Sequence, residues 1–226
     1  MRQLTLIYKL KGNMKKNIAI FLSFILLSFV PAKADIAVGI TGAMHSIDID
    51  GTETTRTSGQ KNTGSHSEDV TVPEFFIETY GNSVSLGLSY IPTRDMGSKS
   101  RTDTGDQSAG TYKAAAELDN VVQVYADINV TEYAGAEIYV KAGIQHATIV
   151  TIESLNSGST YPDQDVLGYT LGLGAKGDLV GNFYYKADLT YTDFEDYSSM
   201  SDGNTGNKVE ASLEDVAAKF SIGYKF

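Results

Sequence analysis

The sequence predicts an all-β chain: an eight-stranded, antiparallel, up-and-down transmembrane β-barrel preceded by a cleavable signal peptide. Three observations carry that expectation. Eight segments alternate apolar and polar residues with a period of two, the connections between them alternate long and short, and the last segment keeps its alternation to the terminal carboxylate. A composition with 22 Gly, 14 Tyr, 9 Phe and only 4 Pro suits a turn-rich sheet protein, and no stretch after residue 34 is apolar enough for a spanning helix.

The N-terminal end sets the compartment. Lys15 and Lys16 precede a 13-residue apolar run, Ile18 to Val30, and Ala32-Lys33-Ala34 follows it. A basic start, an apolar middle and a small-x-small site are the parts of a secretory signal, which predicts a mature start at Asp35. The run is well short of the roughly 20 residues that cross a bilayer as a helix. Met14 opens a complete signal by itself, so translation starts either there or at Met1; the domain division is a signal peptide over 1–34 and a barrel over 35–226. Without cysteine there are no disulfides and no thiol chemistry. Removing residues 1–34 takes away six Lys and Arg and no acidic residue, so the formal charge moves from −10 to −16. That acidity argues against a nucleic-acid partner.

The strands follow in order. Ile36 to Ile49 sets Ile36, Val38, Ile40 and Met44 on one face, and past Met44 the apolar parity flips to Ile47 and Ile49, which suggests a bulge or a strand leaving the membrane. Asp50 to Asp69 reads as a loop. Val70 to Tyr80 and Ser83 to Ile91 form a hairpin around Gly81-Asn82. Pro92 to Asn120 reads as a second long polar loop, whose Ala114 to Leu118 piece fits a helical turn or an extension of the next strand. Val122 to Val130 and Ala136 to Ile152 pair across the short turn Thr131 to Gly135, and Glu153 to Asp165 is the third long loop. Val166 to Lys176 alternates Leu167, Tyr169, Leu171 and Leu173 with Gly168, Thr170, Gly172 and Gly174, the glycines making room in a narrow barrel. Asn182 to Phe194 follows the turn Gly177 to Gly181, and Glu195 to Glu214 is the last loop. With both ends on one side, four long loops face outward and three short turns face the periplasm.

In the final strand, Val216 to Phe226, the residues Ala218, Phe220, Ile222, Tyr224 and Phe226 share one face. This resembles the terminal strand of Gram-negative outer-membrane barrels, and the architecture of the whole span from Ile36 to Phe226 is similar to small eight-stranded members such as the OmpA membrane domain and OmpX. The resemblance implies an outer-membrane location, contact with outer-membrane lipid and lipopolysaccharide, and recognition of Phe220, Ile222, Tyr224 and Phe226 as an assembly signal by the barrel-assembly machinery. It also implies a monomer. Trp is absent, so Tyr80, Tyr90, Tyr133, Tyr185 and Tyr191 are expected to form the aromatic girdle, together with Tyr224 and Phe226.

Inward positions carry the charges Glu74, Glu78, Asp127, Lys141, Lys176, Lys186, Asp188, Lys219 and Lys225, interleaved with Tyr125, Tyr139 and Tyr184. An eight-stranded interior is just wide enough for side chains to fill, so a paired polar core is favoured over a pore. Chemistry is sparse. His45, His66 and His146 are the only histidines; Ser65-His66-Ser67-Glu68 has the residue types of a hydrolase site but not its geometry, and no spacing supports a metal or another cofactor. In and beside the last loop stand Asp193, Glu195, Asp196, Asp202, Glu210, Glu214 and Asp215 against Lys208, which suits bridging Ca²⁺ or Mg²⁺. The function expected from this is a non-enzymatic surface scaffold whose four acidic loops bind or adhere. A narrow porin and a lipid A-modifying enzyme are the alternatives.

Overall fold

The computed structural model describes residues 35–103, 110–154, 160–202 and 206–226. The expected signal peptide lies outside them. Ten strands follow in order: β1 (Asp35–Thr54), β2 (Lys61–Tyr80), β3 (Val84–Ile91), β4 (Arg94–Asp103), β5 (Gly110–Tyr133), β6 (Ala136–Ser154), β7 (Gln164–Asp178), β8 (Phe183–Phe194), β9 (Tyr197–Met200) and β10 (Lys208–Lys225). Eight of them form a closed antiparallel ring in the order β1-β2-β3-β5-β6-β7-β8-β10, and β10 pairs back onto β1. Closure leaves no sheet edge in lipid, which is what a spanning sheet requires.

The outer face follows from strand alternation. Ile36, Val38, Ile40 and Met44 on β1, Leu171 and Leu173 on β7, Leu189 on β8, and Phe220 and Ile222 on β10 all point outward and are exposed. Phe183, Tyr224 and Phe226 stack edge to face at the periplasmic end, with centroids 5.1 Å apart in each pair. An apolar band on the outside of a barrel is stable only against hydrocarbon, so this band is the membrane-crossing zone. Three short connections join strands at that end, including Ala134-Gly135, where both residues take positive φ (52° and 80°) as a tight hairpin requires.

At the other end the strands run far beyond the band. β1 has 20 residues. At about 3.3 Å per residue that is ~65 Å of strand, and even at 45° of tilt it rises past a hydrocarbon core of about 30 Å. Much of what reads as loop is therefore sheet. The Asp50 to Asp69 segment continues the β1–β2 ladder without a break to Thr54↔Lys61, leaving only Thr55 to Gln60 as a turn. Most of Pro92 to Asn120 forms the β4–β5 hairpin, Ala114 to Leu118 being strand. The Glu195 to Glu214 stretch holds β9 and the first turns of β10.

Of the two readings of the parity change after Met44, a bulge and a strand leaving the membrane, the bulge is not there. Both ladders of β1 run in unbroken register through Ile47, which faces inward and is fully buried. The strand does not slip; the interior changes from polar to apolar at that height. Register breaks lie instead on β4, between Asp95 and Ser98, and twice on β5, between Asn129 and Thr131 and between Asp119 and Val122, where Asn120 takes a positive φ of 53°. The last of these puts both Leu118 and Val121 inside.

Candidate functional site

Strand parity sends a second set of side chains into the barrel, and they form three levels. The lowest is an ionic core. Glu78 accepts hydrogen bonds from Tyr184 Oη (2.8 Å), Tyr125 Oη (2.6 Å) and Lys186 Nζ (2.7 Å). Lys186 also donates to Asp127 (2.6 Å), whose other oxygen lies 2.7 Å from Lys141 Nζ, and Asp188 accepts from Tyr139 Oη at 2.6 Å. Every group is at most 6 % exposed. Such burial is tolerable only because each charge has an opposite within contact.

Glycines make the rings fit. The inward aromatics Phe76, Tyr125, Tyr139 and Tyr184 each lie over a glycine directly opposite on the next strand: Gly39, Gly87, Gly174 and Gly223. A Cβ on these glycines would come within 2.2, 2.2, 2.4 and 2.3 Å of the rings. On the glycine face of β7, Gly174 makes room for Tyr139 of β6, while Gly168 and Gly172 make room for Phe194 and Thr190 of β8.

The middle level is a mixed layer. His45 Nε2 stands 3.1 Å from Glu74 and Nδ1 2.9 Å from Asp215; Lys219 donates to Glu74 at 2.8 Å, and Arg94 Nη1 donates to Asp215 at 2.8 Å. Beside it Gln123 and Gln145 both donate to Thr170 Oγ1, at 3.0 and 3.1 Å. Together these two levels fill the membrane-spanning lumen.

The third level is apolar. Ile47, Ile91, Met96, Leu118, Val121, Ile149, Val166, Phe194, Tyr197 and Leu213 pack into one buried cluster. Above it opens a cavity of about 940 Å³, walled by Ile49, Met96, the β5 alanines 114 to 116, Ile149, Tyr161, Tyr197, Val209 and Leu213, with Thr55, Ser58 and Gln60 of the outer turn at its mouth. Most of the exposed wall is apolar, but polar side chains are numerous on it and include Glu53, Asn62, His66, Lys99, Glu153 and Asn207. Glu153 accepts from the Tyr161 amide at 3.1 Å, and burial raises its carboxyl above the usual range. Burial, with Glu53 and Glu153 nearby, pushes the Tyr161 phenol up to about 12, so it stays a neutral hydroxyl. The volume, and a wall whose exposed area is mostly apolar with polar and charged groups set into it, match a small-molecule site.

Of the nine inward charges named from the sequence, the structure brings Glu78, Asp127, Lys141, Lys186 and Asp188 into the ionic core and Glu74 with Lys219 into the layer above. Two stand apart. Lys176 donates to Ser85 Oγ (2.9 Å) and lies 3.4 Å from Glu137, while Lys225 pairs with Asp178 (2.6 Å) at the periplasmic rim rather than in the lumen. Tyr90, Tyr133 and Tyr191 are exposed on the outer surface and Tyr185 is half-buried, but Tyr80 is not a girdle residue. It faces inward with Glu78, 4.8 Å from the Tyr184 ring, and Lys176 and Lys225 lie over its own ring. Asp215 is not a loop residue; it is 2 % exposed in the mixed layer. Among the described residues no group of three or more His, Asp or Glu is placed to hold a metal.

Nor does the Ser65-His66-Ser67-Glu68 stretch assemble a hydrolase site. It lies on β2, not in a solvated loop, where His66 and Glu68 face inward and bond at 3.2 Å while Ser65 and Ser67 are exposed on the outer face. The barrel wall separates the hydroxyls from the imidazole. His146 also faces outward.

No family model matches the chain, and no curated protein does. Solved structures do. Outer membrane protein OprG from Pseudomonas aeruginosa superposes with a TM-score of 0.59 at 16 % identity, over 86 % of this chain and 97 % of that one. The outer membrane protease OmpT from Escherichia coli (TM-score 0.46, 11 % identity, 85 % and 97 % covered) and Neisserial surface protein A (0.42, 10 %, 82 % and 97 %) are also similar. The fold is that of a Gram-negative outer-membrane β-barrel. At these identities the likeness is one of fold, in keeping with the outer-membrane location expected from the sequence.

Proposed function

We propose that this outer-membrane barrel is a small-molecule receptor, which admits an apolar ligand from the extracellular side into the cavity above the membrane and holds it there. The observation that carries the reading is the division of the interior: a cavity of about 940 Å³ with a mainly apolar wall stands over a lumen filled by paired charges. An open apolar cavity facing water favours an occupant, since burying apolar area is worth roughly 25 cal/mol per Å². The filled lumen speaks against a water-filled porin. No catalysis is assigned to it: His66 lines the cavity with Glu68 at 3.2 Å, but the neighbouring Ser65 and Ser67 lie on the outer face of the wall. The loops thus act as the rim of a binding site rather than as an adhesive surface.

The test is saturable binding of an apolar environment-sensitive dye to the protein refolded in amphipol. Ala116 packs against the apolar cluster and lines the cavity. Ala116→Trp should fill the space and abolish binding while the folded, heat-modifiable band on gels persists. Absence of saturable binding, or binding that survives Ala116→Trp, would refute the reading.

A further inference from the structure

Two residues before Met96, which lines the cavity, lies a buried cation that does not line it and whose bonding is incomplete. Arg94, at the start of β4, is 1 % exposed and uses Nη1 to meet Asp215 at 2.8 Å and to approach His45 Nδ1 at 2.7 Å. Its Nε and Nη2 are buried and have no hydrogen-bond partner among the described residues. These two nitrogens are not an arbitrary pair. Nε–H and one Nη2–H point the same way along one edge of the planar guanidinium, the fork that matches the two oxygens of a carboxylate.

The surroundings say what brings a carboxylate there. Arg94 and Met96 both face inward on β4, two residues apart, and Met96 lines the cavity. Met96 and Gly97 fall in the bulge between Asp95 and Ser98, where the β4–β5 ladder has no pairs, and Gly97 takes a positive φ of 91°. The cavity-lining residue nearest to Arg94 along β4 is therefore an unbranched, flexible side chain on a segment free of ladder constraints. We propose that the cavity takes an amphipathic monocarboxylate, its apolar body in the apolar chamber and its head group displacing Met96 to engage the Nε/Nη2 edge of Arg94. This rests on the receptor reading and adds the chemical class of the ligand. It also gives a reason for a buried arginine on a strand that is not part of the ring: β4 carries the head-group site into the barrel.

Octanoate and octan-1-ol share an apolar body and differ in the head, so they separate the two readings. Protein labelled with ¹⁵N-arginine and held in amphipol is titrated with each. Octanoate is expected to bind at least tenfold more tightly than octanol and to shift the Arg94 Nε–H resonance, one of three arginine signals in the chain after residue 34. Arg94→Lys keeps a charge for Asp215 but has no fork, and should bring the ratio between the two probes close to one in a variant whose gel mobility shows it folded. Equal affinities in the unmodified protein, or a preference for octanoate that Arg94→Lys leaves in place, would overturn the carboxylate proposal while leaving the receptor reading intact. If neither probe binds, both fail.

Discussion

Glu78 is the best place to test whether the lumen is a sealed ionic core. Its two oxygens accept from Tyr125, Tyr184 and Lys186, at 2.6, 2.8 and 2.7 Å. Glu78→Gln preserves the shape and leaves the two phenols able to rotate, each donating to the new carbonyl or accepting from the new amide. What it removes is the charge opposite Lys186. Breaking a buried pair by neutralising one member costs roughly 3–5 kcal/mol, and because Lys186 keeps Asp127 at 2.6 Å the lower end, about 3 kcal/mol, is expected. Tyr184→Phe, which removes one hydrogen bond to a charged acceptor, should cost less, about 1.5–3 kcal/mol. Urea titration of protein refolded into lipid vesicles, followed by tyrosine emission and by gel mobility, reads both. Lys186→Met combined with Glu78→Gln should cost clearly less than the two single changes together, since each alone strands the other's partner. A Glu78→Gln protein within 1 kcal/mol of the parent, or strict additivity in the pair, would show that water reaches these groups and that the core is not sealed.

The other expectations follow from the same geometry. In a planar bilayer the protein should show no steady conductance of porin size, and Glu74→Gln with Glu78→Gln should lower stability rather than alter ion preference; large single-channel steps from the unmodified protein would refute this. Gly174→Ala drives a methyl to 2.4 Å from the Tyr139 ring and should cost about 1–3 kcal/mol by overpacking, whereas Gly42→Ala, with nothing within 4 Å, should be close to neutral. Phe226→Ala removes one edge-to-face contact with Tyr224 and should cost the folded barrel only about 0.5–1.5 kcal/mol, but should reduce the yield of assembled barrel in cells. Burial raises the Glu153 carboxyl, so its ionised form is the disfavoured one in the folded state. The protein therefore loses stability as pH rises from the carboxyl's unfolded value through its raised folded value, and Glu153→Gln should flatten that loss in urea titrations at successive pH values.

How much of this was legible in the sequence depends on which face a residue sits on. The spanning strands were readable because their outer face meets lipid and their inner face meets charge, so parity alone separates Leu171 and Leu173 from Thr170 and Lys176. Above the membrane that contrast reverses. Outward positions such as Asp48 and Asp50 meet water, and inward ones such as Ile47, Ile49 and Leu213 form the apolar chamber. The reversal shows in the sequence as a change of parity after Met44, which fits a bulge and a strand leaving the membrane alike. A shift of what surrounds a strand and a shift of the strand itself give one pattern, and only the unbroken β1–β10 register tells them apart. Arg94 left no such trace, because its neighbours Thr93 and Asp95 look like ordinary loop residues and its partners Asp215 and His45 lie 121 and 49 positions away. Tyr80 misled for a related reason: a tyrosine near a strand end fits a girdle, yet its even number places it with Glu74, Phe76 and Glu78 inside.

The two halves of the interior constrain each other. A chamber that holds an apolar molecule needs a floor that neither collapses into it nor lets water rise through it, and a packed layer of Ile47, Leu118, Val121 and Leu213 meets the first need while the paired charges beneath meet the second. The mixed layer between them joins β1, β2, β4 and β10 through His45, Glu74, Arg94, Lys219 and Asp215. Because Arg94 belongs to β4, which pairs only with β5, that contact is what anchors the extra strand across the barrel to the far wall. A ligand head group bound to Arg94 would therefore act on a side chain that ties β4 of the chamber wall to the mixed layer below. A change in ligand occupancy should accordingly be felt in the stability of β4 and of the β1–β10 seam before it is felt anywhere in the spanning lumen.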